Sequence, residues 1–370
     1  LARAKLVHFK NYTQTELRFS PQLNFLVGDN GMGKTNLLDA IYYLCMGKSY
    51  FALSDAYLVQ QGADFFRLEG DFVPPGADRP ELMLVKVVPR QRKELICNGR
   101  RYEKIAEHVG RYPVVIVVPD DTLLILEGSA ERRKLLDNTL SQLDPAYLQQ
   151  LLTYNRLLKQ RNALLKQFAG RTLPTDLIQV YDQQLLAPAT AIHQARRDFL
   201  ERFWPDLQHA HQAICHGRER VTVTYRSGLQ DQDFADLLAA SLEKDRILER
   251  TTQGIHRDDL VFKLDGQPLK RMGSQGQLKS FVLALKLAQF RFLRAASGKT
   301  PLLLLDDIFD KLDPHRVAQL MTYLRQEAYG QVFLTDTDPQ RLASILAQQQ
   351  AEATIFTIKN GRVQQLDEEE

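Results

Sequence analysis

The chain lacks the features that would place it in a membrane or outside the cell. A transmembrane helix needs about 18 consecutive apolar residues. The longest apolar runs here, VVIVV at 114–118 and the leucines after Pro301, are only strand-length. Three cysteines occur, Cys45, Cys97 and Cys215, isolated and without a CxxC pair. That argues against a disulfide framework or a structural zinc site, and for a reducing cytoplasm. No basic segment followed by an apolar one opens the chain, so no signal peptide is expected. Because the chain begins at Leu1 rather than Met, a few residues ahead of it are expected. A charge excess is missing too: 48 Lys+Arg against 45 Asp+Glu leave +3. A nucleic-acid partner is permitted by that balance but not demanded. The eight histidines show no metal-ligand spacing.

What remains is ordinary for a soluble globular protein: 44% hydrophobic and 25% charged residues over 370 positions. That length suggests two or three domains or lobes. There is no internal repeat. Residues 1–75 read strand, strand, loop, helix, through AKLVHF, LNFLVG, DNGMGKT and NLLDAIYYLCMG. Residues 65–118 are strand-rich, with Pro-Gly turns and an Asn98-Gly99 hairpin signal. From Ser129 to His216 helix formers dominate, broken at Asp144-Pro145 and at the turn AGRTLPTD (169–176). This predicts an antiparallel helical arm, in which Leu151, Leu158, Leu165 and Phe168 recur at helical spacing. The stretch 129–218 carries 12 Lys+Arg and 8 Asp+Glu, a basic excess that a solvated helix face also explains. Strands and helices then alternate: RVTVTY, a helix over 232–248, DLVFKL, the helix from Ser274, PLLLLDD, a helix over 314–328, QVFLTD and ATIFTIKNG. That alternation predicts an α/β fold with a mostly parallel sheet.

Three stretches carry chemistry. GDNGMGKT (28–35) satisfies G-x-x-x-x-G-K-[ST] between an apolar strand and a helix, the setting a phosphate loop requires. Gly28, Asp29, Asn30, Gly31, Met32 and Gly33 would wrap their backbone around a nucleotide's phosphates. Lys34 would reach the β- and γ-oxygens, Thr35 would ligate Mg2+, and Asn36 would follow in the helix. LLLLDDIFDKLD (302–313) is an apolar strand ending in two carboxylates. Asp306 is placed to hold Mg2+, and Asp307 to orient or deprotonate the attacking water. A helix cap would also explain such a pair.

The third stretch, RMGSQGQLKS (271–280), starts a helix with small and polar residues, which is anion-binding equipment. In one class of phosphate-loop ATPases two heads pair head-to-tail, and such a helix start closes on the γ-phosphate held by the partner. Ser274, Gly276 and Gln277 offer that chemistry, with Asp313 at the same interface, so ATP would glue a C2 homodimer. A plain helix cap at Ser274 is the alternative.

Taken together, the phosphate loop, Ser-Gln-Gly-Gln, LLLLDD and KLD resemble the ABC ATPase heads of SMC proteins. The resemblance is closer to the RecF family, through FKNY, GKTNLLDAIYYL, VPDDTLLILEGSAERRKLLD, GIHRDDL and LLLLDDIFDKLD, in order along the whole chain. It implies an ABC-type P-loop ATPase head, a mixed or parallel sheet with flanking helices and an antiparallel β region, carrying an inserted helical arm. Residues 1–128 would form the N-terminal part of the head, 129–218 the arm and 219–370 the C-terminal part. The implied activity is an ATP-dependent recombination mediator and weak ATPase. It would bind double-stranded DNA and single-strand/double-strand junctions and act with RecR and RecO to load RecA at gaps.

Two transporter-ATPase features have no clear counterpart. Thr335 and Asp336 stand where a switch His is expected, and VVPDD (117–121) takes the Q-loop's place, with Asp120 a further candidate metal ligand. Slow hydrolysis, suited to a switch, follows. Arg132, Arg133, Lys134, Arg156, Lys159 and Arg161 are candidate DNA contacts. Asn11 and Tyr12 are candidates for the adenine or ribose, and Arg257 is expected to pair with Asp258 or Asp259. Another SMC-like DNA-maintenance ATPase, a transporter ATPase subunit and a small-molecule kinase are the competing readings.

Overall fold

The computed structural model describes residues 1–77, 79–215, 219–309, 314–327, 329–338, 341 and 353–366. The chain forms two compact units, Leu1–Asp121 with Gln289–Glu370, and Thr122–Ala288. No helix among the described residues is long and apolar enough to cross a membrane.

The first unit opens with β1 (Arg3–Phe9), β2 (Tyr12–Arg18), β3 (Leu23–Val27) and α1 (Lys34–Met46). It continues with β4 (Phe66–Phe72), β5 (Glu81–Val87), β6 (Glu94–Cys97), β7 (Arg100–Arg101) and β8 (Val114–Val117). The second unit contains α2 (Leu123–Leu126), α3 (Ser129–Leu143), α4 (Pro145–Gln167), α5 (Thr175–Cys215), β9 (Val221–Arg226) and α6 (Phe234–Ile247). It also holds β10 (Asp259–Leu264), β11 (Gln267–Pro268), α7 (Leu269–Met272) and the N-terminal part of α8 (Gln275–Ser297). The chain then returns to the first unit for β12 (Leu302–Leu305), α9 (Pro314–Gln326), β13 (Val332–Asp336), β14 (Ala353–Lys359) and β15 (Arg362–Leu366).

Two sheets build the first unit. One is antiparallel in the order β2-β1-β4-β5-β6-β7; the other runs β15-β14-β3-β13-β12-β8, parallel except for β15. Every residue of β3, β8, β12 and β13 is buried, as the unbroken apolar runs of β8 and β12 and the mostly apolar β3 and β13 require of strands covered on both faces. Helix α1 touches β1, β4 and β5 of the first sheet and β8 and β13 of the second. Lying between two sheets, it is apolar nearly all round rather than along one stripe. The parallel strands fix the site: β3, β12 and β13 end in register, so the phosphate loop, Asp306 and Asp336 leave from one carboxyl edge.

In the second unit the arm expected over 129–218 is a helical hairpin of α4 and α5, and the unit continues past it to Ala288. Asp144 ends α3 and caps α4 by accepting from the Ala146 amide at 2.8 Å, with Pro145 in the first turn. Tyr147, Tyr154 and Arg161, seven residues apart, fill the buried stripe of α4 with Leu157 and Leu164. Leu151 and Leu158 lie one step off that stripe and are only partly buried.

Candidate nucleotide site

The loop after β3 takes its shape from glycine. Gly28, Gly31 and Gly33 have φ of 156°, 79° and 116°, values that side chains rarely adopt. A Cβ on Gly28 would stand 2.3 Å from the Ile358 carbonyl oxygen, and one on Gly33 would stand 2.5 Å from Asn11 Nδ2. Lys34 folds back across the loop, its Nζ donating to the carbonyls of Gly28 at 2.6 Å and Asp29 at 3.1 Å. Asp29, Asn30 and Gly31 are exposed, whereas Gly33 and Lys34 are buried.

Thr35 faces the acidic strand end. Its hydroxyl lies 3.0 and 2.9 Å from the two oxygens of Asp306. Thr335, at the end of β13, ties both carboxylates together. Its Oγ1 accepts from the Asp307 amide at 2.7 Å and lies within donating reach of Asp306 Oδ1 (2.9 Å) and Asp307 Oδ1 (3.2 Å). Asp307 itself adopts φ 43°, unusual for a non-glycine residue. Burial pushes the Asp306 carboxyl up to about 6, opposed by the Thr35 and Thr335 hydroxyls and reinforced by the Asp307 charge. A buried carboxylate with an alcohol oxygen against it is a donor set for a hard divalent cation.

That raised value fixes a pH dependence. The native state holds the Asp306 proton to higher pH than the unfolded chain, so stability falls as pH rises from about 4 to about 6. The loss is on the order of 3 kcal/mol at neutral pH. Asp306→Asn should therefore stabilise the metal-free protein at pH 7 by up to that amount, and not at pH 4. Urea unfolding in EDTA at the two pH values checks it, and equal midpoint shifts would refute it.

Asn11 and Tyr12, expected at the adenine or ribose, brace the loop from beneath instead. Tyr12 is fully buried and donates to the Gly33 carbonyl at 2.9 Å. Asn11 donates to the Met32 carbonyl at 3.0 Å and accepts from Asn36 Nδ2 at 2.7 Å. A second brace, not anticipated, is the β14–β15 turn. Asn360 and Gly361 have positive φ, and the Gly361 amide donates to the Met32 carbonyl at 3.1 Å. The Asn-Gly pair after ATIFTIK was the available signal.

Asp120 is exposed in the turn after β8; since β8 pairs with β12, it leaves the strand next to that of Asp306. Its neighbour Asp121 is buried, accepting from the Val118 amide and the Tyr50 hydroxyl. At the start of α8, Ser274 and Gln277 form a capping box. The Ser274 amide donates to Gln277 Oε1 at 2.7 Å, and Ser274 Oγ accepts from the Gln277 amide at 3.3 Å. Gly276 lies between them, half-buried. Asp313 lies outside the described residues.

The candidate DNA contacts divide. Arg161, expected at the surface, has no exposure; it pairs with Asp182 at 2.6 Å and Asp245 at 2.7 Å. Arg132 is likewise a core residue, in a two-pronged pair with Asp259 and bonded to the carbonyls of Leu124 and Glu127. Buried and paired, neither side chain is available to DNA. Arg133 is half-buried and holds Ser129 Oγ and the Asp258 carbonyl, while Lys134, Arg156 and Lys159 are exposed. Arg257 does not pair with its neighbours. It is exposed, and Asp258 is taken by Arg196 and Tyr225, Asp259 by Arg132. His256 is structural, bridging the Tyr154 hydroxyl and the Thr251 carbonyl, its pKa lowered by burial to about 4.

A glycine loop and an acidic strand end at the carboxyl edge of a parallel sheet, backed by an antiparallel sheet, define a P-loop ATPase head of the ABC type in its SMC-like form. The fold comparison agrees: an SMC head bound to the C-winged helix domain of ScpA aligns with TM-score 0.59 at 16% identity, over 100% of this chain and 98% of that one. The RecF/RecN/SMC N terminal domain family matches residues 1–60.

The chain belongs to the RecF family. The DNA replication and repair protein RecF of Flavobacterium johnsoniae is 43% identical over 97% of this chain and 99% of its own. That of Parabacteroides distasonis is 41% identical over 100% of both. The solved recombination mediator protein RecF-ATPrS in the RecFOR pathway superposes with TM-score 0.89 at 28% identity, covering 99% of this chain and 98% of that one.

Proposed function

We propose that the chain is an ATP-dependent, DNA-binding recombination mediator that uses slow ATP hydrolysis as a switch. The observation that carries this reading is the Thr35–Asp306–Thr335 cluster beside Lys34. It gathers a hydroxyl, a carboxylate and an ammonium group where Mg2+ and a triphosphate need them. Thr35 and Asp306 would hold Mg2+, with Asp120 a further ligand, and the bound ion would supply positive charge against the phosphate oxygens. The amides from Gly28 to Asn36 and the Lys34 ammonium bind the phosphates. Asp307 orients the attacking water and accepts its proton. Thr335, a neutral hydroxyl where a switch His is absent, agrees with slow turnover.

Across a head-to-tail homodimer, Ser274, Gly276 and Gln277 meet the γ-phosphate held by the partner, with Asp313 at the same interface. Closure by ATP gives a form that recognises single-strand/double-strand junctions and acts with RecR and RecO in loading RecA. The similarity to RecF supports these partners and a cytoplasmic location.

Light scattering tests the switch. ATP, and not ADP, is expected to double the mass, and Ser274→Arg to leave a monomer in ATP. An unchanged wild-type mass in ATP would defeat the head-to-tail reading. On the arm, Arg156→Glu/Lys159→Glu is expected to weaken binding to gapped DNA and lower the log–log salt slope by about 2. Titration by fluorescence anisotropy at several salt concentrations checks it, and an unchanged slope would remove the arm's exposed face from the interface.

A further inference from the structure

At the end of α5, far in sequence from the phosphate loop, three residues of different chemistry converge. His211 and Cys215 are one helical turn apart, and Glu219 precedes β9. Their ligand atoms all lie within 4.8 Å of one another. His211 Nε2 is 3.5 Å from Cys215 Sγ and 3.7 Å from Glu219 Oε2. Around tetrahedral zinc, bonds of about 2.05 Å to nitrogen and 2.3 Å to sulfur put those two atoms about 3.5 Å apart. The nitrogen–oxygen separation is slightly longer than the same geometry asks, and small shifts of the three side chains bring the atoms to bonding distance.

Glu219 Oε2 is buried with no hydrogen-bond partner among the described residues. A buried carboxylate oxygen left unbonded is costly unless a cation meets it. The other oxygen, Oε1, accepts from Gln277 Nε2 at 2.9 Å, which fixes the carboxylate's orientation as outer partners of metal ligands do. His211 and Glu219 border an open cleft of about 230 Å3, whose walls also include Gln212, Arg220 and Asp265. A water there can complete a fourth coordination position.

We propose that His211, Cys215 and Glu219 form a zinc site. It revises the expectation that neither the cysteines nor the histidines serve a metal. The spacing is a single His-x-x-x-Cys step on one helix, and the carboxylate comes from beyond the helix end. Because Glu219 also holds Gln277, bound zinc stiffens the start of α8. This last consequence rests on the reading of Gln277 as a γ-phosphate contact; the metal site does not.

The test uses the full chain, stripped with a chelator and kept reduced without thiols. Titration with Co2+ is expected to give a one-to-one complex with thiolate-to-cobalt charge-transfer absorption in the near ultraviolet, displaced by Zn2+ and not by Mg2+. Cys215→Ser should abolish that band, while Cys45→Ser and Cys97→Ser keep it. His211→Gln and Glu219→Gln should each weaken Zn2+ binding at least about tenfold. No stoichiometric uptake, or a band that survives Cys215→Ser, would overturn the site and leave a hydrogen-bonded trio only. Metal uptake without ATP-driven dimerisation would leave the site standing and remove the proposed role of Gln277.

Discussion

Asp307→Asn should bind ATP as the wild type does and hydrolyse it about a thousandfold more slowly, the range seen when a positioned base is lost. The substitution is well matched to its place. Asp307 sits at φ 43°, a conformation Asn tolerates as readily as Asp, and its amide bond to Thr335 Oγ1 does not involve the side chain. What changes is the charge and the capacity to accept a proton. The dimer formed with ATP should then persist, because the step that ends it is the one removed. Single-turnover phosphate release measures the first effect and light scattering over time the second. Release at the wild-type rate would show that another group handles the water.

Arg161→Ala should destabilise the second unit by about 3–5 kcal/mol, the cost of leaving buried carboxylates without their cation. Asp245 has no exposed side chain and shares Arg161 with Asp182, while Thr251 and Thr252 complete the cluster. A drop in the urea midpoint of the helical unit is the expected result. Arg161→Met/Asp245→Asn removes the two fully buried charges, leaving only the partly exposed Asp182, and should recover much of the loss, since an apolar replacement of similar volume often serves as well. If the double variant were as unstable as Arg161→Ala, packing rather than charge would be the cause.

These cases show where the sequence could be read. A phosphate loop is local: the eight residues GDNGMGKT fix its glycines, its lysine and its threonine, so Gly28 to Asn36 could be named from spacing alone. Asp306 follows from four leucines, because a buried parallel strand must end at the sheet's carboxyl edge. In the sequence Thr335 stands out only as the residue where a switch histidine is expected. Its task of joining Asp306 to Asp307 depends on β12 lying beside β13, which no local pattern states. The arginines failed for the same reason. Arg161 occupies a core position of α4, yet the acids that neutralise it come from α5 and α6. Counted along the chain it adds to a basic surface; in the fold it adds nothing to one. The brace at Asn360-Gly361 was legible as a turn, but its target, Met32, was not.

The neighbours of β3 have a consequence for how the protein comes into being on the ribosome. The strand is made long before its two flanking strands, β13 and β14, and the turn that props Met32. Nascent chain can emerge for some three hundred residues with the glycine loop lacking its walls. Such non-local pairing folds slowly and late. Competence for nucleotide is thus withheld until β13, β14 and the turn after it have been made, so a product that stops short of them carries the loop's residues without the means to shape them.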